Sequence, residues 1–441
     1  MGKAKSKATI MVADGAGGMS KMHDWRFEVG EWPIHFEVPK EQADTWLTYF
    51  YDECQRRGWG SSGIGQMEAR ENTGSITVNT GGVDKPQFSV VWERKRGGPI
   101  NARSRSTGVP EFPLVEARNL FEHVNERCRS GATDHIYRRW QLEYEGLPWR
   151  GEFWLDDTLR LGPPSRQYET ALLGPRVIIV DAVVDCVGPA DATFVFRTRL
   201  SELSAFLSVM MGAGVQIPEQ GQVWTWTDAA DCAVRQLGYV ERENLQEMPA
   251  RGAYRSVPLR QVSRPDVSLR GIDGSMTEES LPADVTDLWT AYRTLPAGQC
   301  RQFLQAAAKW QEAQKLLRSS STLSFALMVV ACEALKPAGA EFTKHNIYHV
   351  IDALLGKAVA DRLLEPWFRP QDVRNVHLHR GEFCGSEFVD MALSRSYQDP
   401  TFDQARRALA PIAQESIIEW LRRQGKFTMP PIKRRKTAEH N

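Results

Sequence analysis

Strand-like apolar spacings stop near residue 280 of this chain, and that change limits the folds open to it. Before it come short runs: WRFEV, IHFEV, SITVN, FSVVWERK, YRRWQLEYEGL, RGEFWLDD, PRVIIVDAVVDCV and TFVFRTRL. They alternate or cluster apolar residues between Gly, Pro and Asn punctuation, which is the pattern of strands. After it the apolar series recur at three and four, predicting helices over 285–295, 299–318, 322–336, 344–355, 357–368, 370–380 and 402–423. Strands gathered in one part of a chain and helices in another read as an α+β protein. The expectation is a mixed, β-rich N-terminal half followed by an all-α helical bundle.

At about 150 residues per domain, 441 residues predict two or three domains. Residues 1–22 are Lys/Gly/Ala-rich and aperiodic, a flexible end. Residues 23–273 form the β-rich region, one domain or two, with helices expected over 40–57, 114–128 and near 203–211. The Gly, Ser and Pro of 274–283 read as a linker, 284–425 as the helical domain and 426–441 as a basic flexible tail. The helix carrying LSFALMVVACEAL is apolar nearly all round and is expected at the centre of the bundle, with Ser319, Ser320 and Ser321 as N-cap choices. The glycine-rich strings DGAGGMS and GWGSSGIGQ do not end in Gly-Lys-Ser/Thr and are read as loops rather than phosphate cradles.

Composition excludes several classes of function. Lys+Arg 55 balance Asp+Glu 55, so the whole molecule is not a polycation and any nucleic-acid contact must be local. The longest apolar run, 323–332, is about half of what a bilayer requires, and no signal-peptide pattern opens the chain, so a cytoplasmic protein without membrane contact is expected. Seven cysteines stand singly with no CxxC pair, which fits reduced thiols better than disulfides or a zinc module. No metal or cofactor is expected.

One segment concentrates chemistry. PWFRPQDVRNVHLHRGEF places Arg374, Asn375, His377, His379 and Arg380 within seven residues. Histidine is the side chain that moves protons near neutral pH, and arginine offers a permanent fork of donors matched to phosphate oxygens. Together they supply what metal-free phosphodiester cleavage needs: proton transfer, and a cation against the charge on phosphorus. At about 100° per residue, Asn375 and His379 share one helix face, while His377 shares another with Arg374. Which histidine acts therefore stays open on local geometry. Arg374 and His379 share no strict stripe; they meet through the reach of Arg374, a distortion at the helix end, or a second copy of the motif across a twofold axis.

RNVHLH has the form R-N-x-x-x-H and resembles the Arg-x4-6-His signature of HEPN ribonucleases. DLWTAYRTL, RQFLQAAAKWQEAQ and LSFALMVVACEAL, which precede it, look like the approach to that motif in ApeA-like HEPN domains, and the likeness covers residues 282–425. It implies a homodimeric, metal-independent endoribonuclease in which Arg374 and His379 of both protomers make one composite site. Asn375 would be the polar residue that orients the motif, and Glu333 resembles the acidic residue of the preceding helix. The resemblance further implies an anti-phage defence effector whose N-terminal region answers to a phage-derived or nucleic-acid trigger. His377 is a rival to His379, and Arg380 stands where relatives often carry Gly. HEPN-like bundles also serve as non-catalytic dimerisation or ligand-binding modules, which is the alternative.

A second basic group, Arg94, Lys95, Arg96, Arg103 and Arg105, surrounds the Gly-Gly-Pro of ERKRGGPINARSRS, a footprint suited to RNA phosphates or simply an exposed hairpin loop. Arg380 joins it as an RNA-contact candidate. Lys433, Arg434, Arg435 and Lys436 in the tail are read the same way.

Overall fold

In a computed structural model, the residues described are 11–13, 19–21, 34–38, 43–57, 60–67, 71–79, 87–95, 100–106, 114–131, 133–164, 176–218, 222–226, 232–236, 247–260, 278–317, 319–337, 346–363, 370, 374–375 and 400–427. They divide into two compact units, Met1–Ala132 and Thr133–Asn441.

The first unit holds the short hairpin β1 (Met11–Ala13) and β2 (Met19–Lys21), then β3 (Ile34–Val38), helix α1 (Ala43–Arg56), β4 (Gly60–Met67), β5 (Glu71–Asn79), β6 (Gln87–Lys95), β7 (Ile100–Ser106) and helix α2 (Leu114–Ser130). Strands β3 to β7 make one antiparallel sheet in the order β3-β7-β6-β5-β4. The helical spacing of Trp46, Phe50 and Cys54 on α1 and of Phe121 and Val124 on α2 buries these residues together. Trp46 stacks on Phe50 at 5.3 Å and on Phe121 at 6.2 Å. Arg127 of α2 reaches back to Asp52 at 2.8 Å and Glu53 at 3.3 Å.

The second unit opens with a four-stranded antiparallel sheet in the order β8-β11-β10-β9, from β8 (Asp134–Tyr144), β9 (Phe153–Asp156), β10 (Leu159–Gly162) and β11 (Arg176–Cys186). Helix α3 (Pro189–Met211) follows, then the hairpin β12 (Gln222–Trp226) and β13 (Cys232–Gln236), and the short parallel pair β14 (Leu259–Arg260) and β15 (Leu281–Pro282). The helices are α4 (Val285–Arg293), α5 (Ala297–Lys315), α6 (Ser321–Ala334), α7 (Asn346–Leu355), α8 (Lys357–Arg362) and α9 (Pro400–Arg422). A mixed α+β class is therefore observed.

One apolar core runs through this unit, from Leu142 and Val180 on the sheet through Phe206 and Leu207 of α3 to Phe303, Phe325 and Trp420 of the later helices. The units thus part at 132/133, and the helices share a core with the second sheet, whereas the sequence pattern placed its boundary at 274–283. Strand β15 lies inside that expected linker. The reason is α3, apolar enough to be covered by sheet on one side and helices on the other. Side chains from elsewhere meet its final carbonyls: Trp310 Nε1 donates to Ser208 O at 3.0 Å, Gln414 Nε2 to Val209 O at 2.5 Å, and Arg260 to Met210 O. Helix α6 is also buried along most of its length, and Ser320 stands at its N-cap without a side-chain capping bond.

Two expectations fail locally. TFVFRTRL is helix, not strand: Pro189 sits in the first turn, and Ala192, Phe196, Leu200 and Leu203 are buried at helical spacing while Phe194 is exposed. Its β-branched and aromatic residues suggested a strand, but burial of one helical stripe outweighs a propensity spread of about 1 kcal/mol. GSSGIGQM is a strand, not a loop, because β4 closes the edge of the first sheet and all eight residues register with β5. The segment 23–29, with WRFEV, lies outside the described residues.

Candidate active site

Helix α6 ends in a last turn whose exposed carbonyls are met from two other helices. Gln302 of α5 donates its Nε2 to Ala334 O at 3.0 Å and Lys336 O at 2.6 Å, and Trp420 of α9 donates Nε1 to Leu335 O at 3.1 Å. Glu333 lies in that turn. Its Oε2 stands 3.5 Å from Nη2 of Arg374, an ion pair too long for a strong hydrogen bond.

Arg374 and Asn375 are helical and partly buried. Arg374 Nη1 donates to Asn375 Oδ1 at 2.8 Å, and its Nε is buried with no hydrogen-bond partner among the described residues. The guanidinium is thus steered by its neighbour's amide and paired loosely with one carboxylate. Burial pushes the Glu333 carboxyl above its ordinary value, and the nearby cations Arg374 and Lys336 offset part of that rise. Burial, followed by the Glu333 carboxylate, pushes the Cys332 thiol well up. Cys332 therefore stays a protonated core residue and not a nucleophile.

Three of the residues singled out in the helical half, Glu333, Arg374 and Asn375, come together. His377, His379 and Arg380 lie outside the described residues, as do Arg96 and 433–436. The described members of the basic group of the first unit stand in the paired strands β6 and β7. Arg94 and Lys95 end β6, while Arg103 and Arg105 stand in β7 opposite Val91 and Ser89. Among the described residues, no three His, Cys, Asp or Glu side chains are grouped to hold a metal ion.

Sequence reasoning missed a second polar constellation, on the second sheet. Asp181 of β11 is fully buried and accepts from Tyr137 at 2.6 Å, Arg139 at 2.7 Å and Arg160 at 2.7 Å. Arg160 is also paired with Glu152 at 3.2 Å. The signal was present: a lone Asp inside the apolar run VIIVDAVV, with arginines on the strands either side. Comparison of the chain with family models, with curated proteins and with solved structures finds no match in any of the three.

Proposed function

We propose that the protein is a metal-independent endoribonuclease of HEPN type, cutting RNA at a composite Arg/His site formed by two copies of the chain, and that it acts as an anti-phage effector. The observation that carries this reading is the state of Arg374: a cation at the edge of the helical core, oriented by Asn375, loosely paired with Glu333 and with its Nε unmet. With its side chain 28% exposed and its one carboxylate 3.5 Å away, such a group can turn guanidinium donors to a phosphate oxygen.

In the proposed reaction the ribose 2′-OH attacks the adjacent phosphorus, and the P–O5′ bond breaks. The base takes the 2′-OH proton, the 5′-oxygen leaves as a hydroxyl after receiving a proton, and Arg374 stabilises the charge on the phosphorane oxygens. The products carry a 2′,3′-cyclic phosphate and a 5′-OH. His379 is the proton-transfer group on the spacing of the family motif, with His377 as its rival.

The test is single-turnover cleavage of total RNA and tRNA in EDTA. Arg374→Ala is expected to lose about 10² to 10³ in rate and His379→Ala about 10² to 10⁴, with His377→Ala within tenfold of wild type. Cleavage of DNA at the same rate, dependence on added magnesium, or loss of activity in His377→Ala alone would overturn the mechanism or its register. The Glu333–Arg374 pair also favours a second reading, a non-catalytic dimerisation module in which the pair only ties two segments. That protein would dimerise in light scattering and leave RNA intact.

A further inference from the structure

Arg160 is held in a way that RNA cleavage does not require. Its side chain is only 2% exposed on the outer face of the second sheet. Nη1 donates to Asp181 Oδ2 at 2.7 Å and Nε to Glu152 Oε2 at 3.2 Å, while Nη2 is buried with no acceptor among the described residues. Opposite it in the β9–β10 register stands Trp154, whose indole Nε1 is also buried and without an acceptor. Directly opposed residues on one face of an antiparallel pair have Cβ atoms about 5 Å apart, so the Arg160 and Trp154 side chains start as neighbours, next to the register shift between Leu159 and Arg160.

The carboxylates there are already occupied. Asp181 accepts from Tyr137, Arg139 and Arg160, and Glu152 accepts from Arg160 and from the Gly252 N–H at 2.6 Å. The surplus is entirely of donors. Charge follows the same pattern: Arg139 and Arg160 balance Asp181 and Glu152, and a third cation, Arg251, lies 4.7 Å over the Trp154 ring. The partner of Arg251, Asp157, is 95% exposed, so that pair is screened by water and weak.

The neighbourhood is also shaped. A Cβ at Gly162 would stand 2.5 Å from Arg160 Nη1, so the guanidinium lies against bare backbone. Residues 255–257 run alongside the residue that precedes β9, bridged in parallel by Glu152 N to Arg255 O at 2.8 Å and Val257 N to Glu152 O at 3.1 Å. That approach needs Gly151, where a Cβ would fall 2.7 Å from Arg255 O and Val257 N. Among the described residues the ring of Tyr254 lies over Arg160, 5.3 Å from its Cζ and 45% exposed.

We propose that Arg160 and Trp154, beneath Arg251 and Tyr254, form a binding site for the oxyanion, carboxylate or phosphate, of a small molecule that enters when the Tyr254 side chain turns aside. The oxyanion accepts from the unmet donors, and its charge competes with the exposed Asp157 for Arg251. The site stands independently of the nuclease assignment.

Replacing Arg160 strands two buried carboxylates and risks the fold, so the informative variant is Trp154→Phe, which keeps the ring and removes one donor. Full-length protein is titrated calorimetrically with inorganic phosphate, acetate and adenosine monophosphate, and its thermal midpoint is recorded with and without each. At least one probe is expected to bind saturably, with phosphate or acetate distinguishing the two oxyanions and the nucleotide showing whether a larger body is admitted. Trp154→Phe should weaken that binding about tenfold to a hundredfold, the worth of one hydrogen bond to a charged group. It should leave the midpoint of ligand-free protein unchanged or higher, because it deletes a donor that nothing meets. Tyr254→Ala should keep binding and speed entry. The proposal fails if no probe saturates by about 10 mM, a free energy of association under about 3 kcal/mol. It fails equally if Trp154→Phe binds like wild type, which puts the anion elsewhere, or if a crystal grown with phosphate shows only a water between Nη2 and Nε1.

Discussion

Two arginines of the second unit, Arg160 and Arg374, each face a carboxylate, and the difference between them separates structure from availability. Around Arg160 the contacts are short and shared: Asp181 bonds to two arginines at 2.7 Å and a tyrosine at 2.6 Å, all bridging neighbouring strands, with Asp181 and Arg160 themselves shielded from water. Around Arg374, among the described residues, there is one 3.5 Å approach to Glu333 and one bond to the adjacent Asn375, with the side chain 28% exposed. A buried charge that loses its partner keeps its desolvation cost, whereas a charge near the surface recovers water. Arg160 and Asp181 are thus bound into the fold, and Arg374 is free to change partner.

Asp181 is where the two arginines should differ most. Asp181→Ala leaves Arg139 and Arg160 without their shared acceptor and is expected to cost about 3 to 5 kcal/mol in urea unfolding. A loss under about 1 kcal/mol would mean that the network is not the structural member of the pair. Arg374→Ala should cost within about 1 kcal/mol by the same measurement, as near-surface ion pairs do. Its large effect is on cleavage, so the two variants should exchange rank between the two assays. If Arg374→Ala unfolds the protein instead, the pair with Glu333 is a structural tie.

The smallest effect sharpens the comparison through pH. Burial raises the Glu333 carboxyl in the folded chain above its value in the unfolded one, with Arg374 and Lys336 offsetting part of the rise. The unfolded chain therefore ionises this residue first. Its contribution to stability is greatest below about pH 4.5 and falls as pH climbs from there through the folded value. The stability of wild type minus that of Glu333→Gln should decline across that window and then level off, with the pair's own worth within about 1 kcal/mol. A difference that grows with pH would mean that attraction to Arg374 outweighs burial.

Helices were the most legible part of the sequence, because each buries a stripe at a spacing strands do not use. The patterns over 285–295 and 402–423 correspond to α4 and α9 within three residues at either end. The failures share a cause. TFVFRTRL was read from its residue types, but its partners lie on the sheet and on α5; GSSGIGQM carries almost no apolar signal because an edge strand is specified by the neighbour it pairs with. In the candidate site, Arg374 and Asn375 were visible as a local cluster. Glu333 was singled out only by resemblance, since an ion pair between separate helical segments leaves no mark in spacing.

The sequence alone determined the α+β class, the position of most helices and the concentration of Arg, Asn and His in one short segment, because these depend on near neighbours along the chain. Tertiary structure alone decided that α3 joins the second sheet and the later helices in one core. It also decided that Arg374 meets Glu333, and that an Asp in an apolar strand gathers two arginines and a tyrosine around it. Those outcomes depend on which surfaces exclude water together, and that is set by packing between elements far apart in the chain.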